Sequence, residues 1–182
     1  MFIRAQDLEI RKLQFREELQ PGVVDLGTGV RQIAPLKTSG RAEVLHEHHG
    51  GKVVISDIRL VGKLSTKVEC DCARCLEPVP LEITREFDLL NRPLGSDRRG
   101  DEVSITEAET EIGYYEGEGL LLEDVLREQL LLALPLRMVC SDDCKGICPQ
   151  CGRNLNLGAC NCEQHIPDPR WDALNDLKNR LK

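Results

Sequence analysis

The sequence predicts an α+β protein: a mainly antiparallel β body with one packed helix, then a C-terminal cysteine-rich zinc knuckle and a terminal helix. Three observations carry that expectation. Apolar and polar residues alternate from Lys52 to Cys70 and again from Pro80 to Leu90, the period of strands with one buried side. A leucine-rich run with few helix breakers extends from Leu120 to Leu134, built of strong helix formers. Nine cysteines fall into two groups separated by some 65 residues, which implies a cross-link between distant parts of the chain.

Along the chain, the first 20 residues fit either a strand or a short helix, with Leu8, Ile10, Leu13 and Phe15 as candidates for the buried side. The passage PGVVDLGTGV is rich in turn residues. It lacks the Lys-Ser/Thr and helix that would make its glycines a phosphate loop. His46, His48 and His49 sit in HEHHGG, expected as a solvated hairpin loop. The first long strand places Val53, Ile55, Ile58, Leu60, Leu64 and Val68 among polar residues, and the second carries Leu81, Ile83, Phe87 and Leu89 with a break near Arg85. The Cys70–Pro80 segment between them reads as a hairpin connection, so Cys72 and Cys75 lie at its tip. Asp101 to Glu118 is acidic without a Lys or Arg, a solvated loop or a partner-facing patch with a strand at Ile112 to Tyr115. In the helix that follows, Val125, Leu126, Gln129 and Leu130 form the buried side, and Pro135 ends it. The close of the chain opens with Asp168-Pro169, an N-cap and first-turn proline. Trp171, Leu174, Leu177 and Leu181 continue it as an apolar helical stripe. The resulting division is a body over 1–139, a knuckle over 140–165 and a terminal helix over 166–182.

The N-terminus interleaves charge with apolar residues, and the longest aliphatic stretch, Leu130 to Leu136, holds a proline. It falls far short of the roughly 18 residues of a membrane span. The expected location is cytoplasmic, where clustered cysteines are metal ligands or redox groups before they are disulfides. A net charge of −7 opposes strong non-specific binding to a phosphate backbone, so any RNA contact must be local.

Zinc takes four soft ligands in a tetrahedron, and pairs spaced two to four residues apart supply them. Eight cysteines divide into two such sets: Cys72, Cys75, Cys140 and Cys144, which crosses the fold, and Cys148, Cys151, Cys160 and Cys162, which is local. One ribbon site joining Cys72/Cys75 to Cys148/Cys151 is the alternative pairing. Cys70, out of step with its neighbours, is expected as a small buried residue. The segment from Cys140 to His165 offers only a few aliphatic side chains, such as Ile147, Leu155 and Leu157. It needs a staple to order at all. Gly152 after Cys151 permits the positive φ of a knuckle turn. A thiol-redox pair at Cys148/Cys151 competes with this reading, but such pairs begin a helix within a βαβ unit. All-thiolate sites are structural rather than hydrolytic, and no nucleophile triad, HExxH or phosphate loop completes itself. The chain is therefore expected not to be an enzyme. Arg137, Lys145 and Arg153 surround the cysteines as candidate RNA contacts or as countercharges to the thiolates.

The C-x-x-C-L-E-P hairpin at Cys72 to Pro78, the helix ending ALPL, the run CSDDCKGICPQCGRNLN from Cys140 to Asn156 and the closing DPRWDALNDLK together resemble the YceD family. That resemblance implies a role in the synthesis, processing or stability of large-subunit (23S) ribosomal RNA. It also implies a partner among large-subunit precursors, ribosomal RNA or a ribosomal or assembly protein, with no membrane and no small-molecule substrate. Some family members lack the later cysteines, which implies that Cys72/Cys75 with Cys140/Cys144 is the shared site. A protein-only adaptor, docking by the acidic segment and the terminal helix, is the remaining alternative.

Overall fold

The computed structural model describes residues 1–49, 53–96 and 112–162. The terminal helix, the acidic run from Asp101 to Glu111, and the side chains of His48, His49 and Val53 lie outside the described residues. The elements are β1 (Phe2–Arg4), α1 (Ala5–Ile10), β2 (Leu13–Leu19), β3 (Val30–Gln32), β4 (Leu36–His49), β5 (Val53–Asp71), β6 (Pro78–Pro93), β7 (Ile112–Tyr115), β8 (Gly119–Leu121) and α2 (Leu122–Ala133). The protein is α+β.

Six strands form the main sheet in the order β2-β4-β5-β6-β7, with β3 continuing beside β5, and β1 pairs β8 separately. The period-two pattern of β5 sends Ile58, Leu60, Leu64 and Val68 to one face, all at most 1% exposed. Phe15, Leu36, Ala42, Ile83 and Phe87 join them from neighbouring strands, and Leu122, Val125, Leu126 and Leu130 of α2 close over them. Truncating one of these leucines to alanine costs about 2–5 kcal/mol. Across the inner face, Phe15, Gly40, Gly62 and Phe87 lie in one row of cross-strand partners. A Cβ on Gly40 would stand 2.6 Å from the Phe15 ring, and one on Gly62 2.8 Å from Phe87. The two central positions must therefore be glycine for both rings to lie flat over the sheet.

Several expectations need correction. The N-terminal passage is strand, helix and strand in turn, so α1 adds a second helix. Leu8 and Phe15 are buried but Ile10 is 85% exposed, because α1 has only one turn facing the core. His46 and its neighbours lie within β4 rather than in a loop. His46 Nε2 lies 3.0 Å from Glu9 and its Nδ1 3.3 Å from the Ser56 hydroxyl, so Glu9 of α1 and Ser56 of β5 hold the ring on the strand. No break interrupts β6 at Arg85. Its guanidinium points inward and donates to Gln129 Oε1 of α2 at 3.0 Å, so a charged side chain fits the inner face. The mainly antiparallel sheet is as expected, with β7 beside β6 as its parallel pair.

The end of β5 remote from the cysteines is held by Arg92, only 2% exposed, whose Nε donates to Asp57 at 3.1 Å and whose Nη2 donates at 2.9 Å. No helix among the described residues is long and apolar enough to cross a membrane.

Candidate metal centre

The tip of the β5–β6 hairpin is a tight knuckle. The Cys72 N–H donates to the Glu77 carbonyl at 2.9 Å, and the Leu76 N–H donates back to the Cys72 carbonyl at 2.9 Å. This turn requires a left-handed residue after the second cysteine, and Leu76 takes φ 62°. It also aims the Arg74 N–H at the Cys72 sulfur, 3.5 Å away.

The chain that follows α2 returns to this tip. The Ala73 N–H donates to the Met138 carbonyl at 2.8 Å, and the Ile147 N–H to the Arg74 carbonyl at 3.0 Å. The Arg74 guanidinium donates to the carbonyls of Asp142 and Cys144 at 2.8 and 3.0 Å, while the Cys140 N–H approaches Cys72 Sγ at 3.4 Å. Gly146, at φ 75°, passes so close that a Cβ would meet the Arg74 carbonyl oxygen at 3.0 Å. The sulfurs of Cys72, Cys75, Cys140 and Cys144 thereby gather within 4.8 Å of one another. Cys72 lies 3.9 Å from Cys144, and Cys75 lies 3.6 Å from Cys140. All but Cys140 are buried.

A second knuckle follows with the same hydrogen bonds. The Cys148 N–H donates to the Arg153 carbonyl and the Gly152 N–H to the Cys148 carbonyl, both at 2.8 Å, with Gly152 at φ 70°. Ile147 and Asn154 pair across it. Cys160 and Cys162 come back so that the sulfurs of Cys148, Cys151, Cys160 and Cys162 also lie within 4.8 Å of one another, here with only Cys148 buried.

The electrostatics repeat in the two groups. Backbone amides of Cys75 and Arg74 draw the Cys72 thiol down to about 6, and those of Cys151 and Gln150 do the same for Cys148, also to about 6. Against the pull of the Glu77 amide, burial and the adjoining sulfurs push Cys75 up to about 12. The neighbouring Cys151 sulfur, with burial, pushes Cys162 to about 12. Backbone amides thus favour the thiolate at Cys72 and Cys148, while burial and the neighbouring sulfurs favour the thiol at Cys75 and Cys162.

Asn156 is a residue that cysteine spacing does not single out. Its Nδ2 donates to Cys144 Sγ at 3.3 Å, and its Oδ1 accepts the Lys145 N–H at 2.8 Å. The Asn156 amide draws the Cys144 thiol downward. Arg74 is likewise missed, its only signal being a position between two cysteines. Arg137, Lys145 and Arg153 are all exposed. Arg153 donates to the Ala159 carbonyl at 3.2 Å, so it braces the loop leading to Cys160. Cys70 is 7% exposed within the core, apart from both sulfur groups, and burial raises its thiol above the ordinary range.

In chemical terms each group is a set of four soft donors converging on one point, suited to a tetrahedral metal ion.

Several known proteins are similar to this chain. An uncharacterized protein of Mycobacterium tuberculosis is 33% identical over 125 residues, covering 68% of this chain and 57% of that protein. The chain therefore spans little more than half the length of this mycobacterial relative. The uncharacterized protein YlbN of Bacillus subtilis is 28% identical over 156 residues, 84% of this chain and 79% of that protein. In Arabidopsis thaliana, the large ribosomal RNA subunit accumulation protein YCED homolog 1, chloroplastic, is 24% identical over 146 residues, 69% of this chain and 46% of that protein. No solved structure matches. The model of the large ribosomal RNA subunit accumulation protein YceD matches residues 60–178, from β5 through both cysteine groups, and the chain belongs to the YceD family.

Proposed function

We propose that this chain is a non-enzymatic ribosome-biogenesis factor that supports the synthesis, processing or stability of large-subunit ribosomal RNA in the cytoplasm. The observation that carries the reading is the family match, whose description names accumulation of the large ribosomal RNA subunit. Its partner is a large-subunit precursor, met through RNA or through a ribosomal or assembly protein. The exposed Arg137, Lys145 and Arg153 are proposed local contacts to RNA.

Two zinc ions are part of the proposal. Cys72, Cys75, Cys140 and Cys144 would hold one, and Cys148, Cys151, Cys160 and Cys162 the other. The donor sets fit, since four thiolates close a tetrahedral shell without a position for water. Zinc would supply a cross-link, joining the hairpin tip to the C-terminal segment. The protein's own part is to orient the sulfurs through the knuckle amides and the Asn156 side chain, as outer-shell donors do around metal ligands. The division into a body over 1–139, a knuckle over 140–165 and a terminal helix over 166–182 belongs to the same proposal.

Sedimentation of a tagged chain in cell extract tests the role. Co-migration with large-subunit precursors is expected, and absence from every pre-ribosomal fraction would overturn it. Elemental analysis of protein purified without added metal should find two zinc ions per chain, and thiol titration of the unfolded chain should count all nine cysteines, which leaves the buried Cys70 as the one outside the two sets. A single zinc would favour one ribbon site. No zinc together with oxidised thiols would shift the function to thiol exchange at Cys148 and Cys151.

A further inference from the structure

Strands β2, β4 and β5 carry, on the face away from the core, an array of charge that neither the cysteines nor the packing requires. Ser39 of β4 has Arg16 of β2 and Lys63 of β5 as its two cross-strand partners. Lys37 and Arg41 stand two residues before and after it on the same strand, hence on the same face. Four cations surround one hydroxyl, at spacings of about 5 Å across strands and about 6.6 Å along them. All four are exposed. None is in ion-pair contact with a carboxylate among the described residues, whereas their neighbours Lys12, Arg59 and Lys67 are paired with Glu43, Asp88 and Glu82.

Like charges on neighbouring positions of a sheet oppose folding. Glu18 and Glu86 are the cross-strand partners of Lys37 and Lys63, and Arg41 acts through space on Glu43 and Asp88, yet none of these carboxylates closes an ion pair with the four cations. Two adjoining grooves, of about 690 and 680 Å³, share Ser39 and Lys63. The hydroxyls of Ser39, Ser65 and Thr84 add donors along them. The carboxylates of Glu18 on β2 and of Glu86 and Asp88 on β6 stand at the two edges, so an anionic polymer is confined to a track along β4. From Lys37 to Arg41 that track is about 13 Å long, the span of about four phosphates at ~3.4 Å per nucleotide of a helical strand.

We infer that this face binds the phosphate backbone of an RNA strand through Arg16, Lys37, Arg41 and Lys63. The inference rests on the ribosomal-RNA reading above and names where the RNA is held. Across the three rows of cross-strand partners centred on Ser39, Val61 is the one apolar residue and none is aromatic. A protein partner would require apolar or aromatic anchors at its centre, and base recognition on a sheet would require stacking platforms. What remains is sequence-independent contact with phosphates.

The test is equilibrium binding of a short fluorescein-labelled single-stranded RNA of mixed sequence to the full chain. At ~0.7 per contacted phosphate, four contacts give a slope near −2.8 for log affinity against log salt, a loss of about fifty-fold between about 50 and 200 mM. The fourfold variant Arg16→Gln, Lys37→Gln, Arg41→Gln, Lys63→Gln, altered only at exposed positions, should bind at least tenfold more weakly at low salt and lose most of that slope. The variant Arg4→Gln, Arg11→Gln, Arg127→Gln, which removes exposed cations away from this face, should keep most of it. Unchanged binding and slope in the fourfold variant, or an equal loss of the slope in this control variant, would overturn the inference. So would a fourfold variant that keeps its RNA affinity but loses an acidic protein partner. If the wild-type chain sediments with large-subunit precursors but does not bind the probe, this inference fails while the proposed function stands.

Discussion

The two cysteine groups begin from the same local device and end in different places. Each has a cysteine whose N–H donates five residues ahead and whose carbonyl accepts from four residues ahead, with a left-handed residue at the turn. In the first group that turn caps a long hairpin and meets a segment 68 positions away, with three of its four sulfurs buried. In the second, everything lies between Cys148 and Cys162, and three sulfurs are partly or fully exposed. Knuckle geometry is therefore a property of a few residues. What a staple there does for the protein depends on how much chain it closes and how well the surroundings exclude water.

The sharpest way to break this comparison is to remove one sulfur from each group. A cross-link spanning roughly 70 residues contributes about 4 kcal/mol by loop-closure entropy. Cys72→Ser should therefore lower the stability of the body by about that amount in urea unfolding followed by circular dichroism. Cys148→Ser releases only the local segment and should leave the same transition within about 0.5 kcal/mol. Equal shifts would mean that the two clusters form one cooperative unit.

Acid sharpens it next. Cys72 and Cys148 titrate near 6, below the ordinary thiol range, so what their thiolates contribute is present above that range and is lost as pH falls through about 6. Cys75 and Cys162, pushed to about 12, hold protons that a metal must displace. Affinity should climb with pH by about tenfold per unit for each proton displaced. Zinc release to a chromogenic chelator on acidification is expected from the second, more exposed cluster first. Simultaneous release would remove burial as the distinguishing factor.

A smaller effect comes from Asn156, which lies in the second knuckle's sequence but serves the first cluster's Cys144. Asn156→Ala should weaken zinc at the first site by about tenfold, the lower end of outer-shell effects, and leave the second unchanged in competition with a chelator. The smallest concerns the turn itself. Leu76 holds φ 62° while 62% exposed, so it bears the left-handed cost without much burial in return. Leu76→Gly should stabilise by about 0.5–1 kcal/mol, and Gly152→Ala should cost about 1 kcal/mol at the second knuckle. Thermal denaturation of the zinc-loaded variants would show whether the two turns are equivalent.

The strands and α2 were legible because each has one side buried, and a buried side leaves a period in the sequence. Val125, Leu126, Gln129 and Leu130 are the predicted helix side and are buried. The period is silent where a polar group is satisfied inside. Arg85 reads as a break until its bond to Gln129 is seen, and the burial of Arg92 against Asp57 left no pattern. Short elements misled for the opposite reason. α1 has one turn, and Ile10, apolar by composition, has nothing to pack on.

By itself the sequence determined the local turns: C-x-x-C followed by a residue able to adopt positive φ makes a knuckle from adjacent backbone groups alone. It also determined the alternation that builds β5 and β6. The gathering of Cys72/Cys75 with Cys140/Cys144, and of Arg16, Lys37, Arg41 and Lys63 about Ser39, was decided only by the tertiary structure. Those neighbours come from strand register and chain return, and a shift of one residue in a strand's register would send that strand's cations to the opposite face.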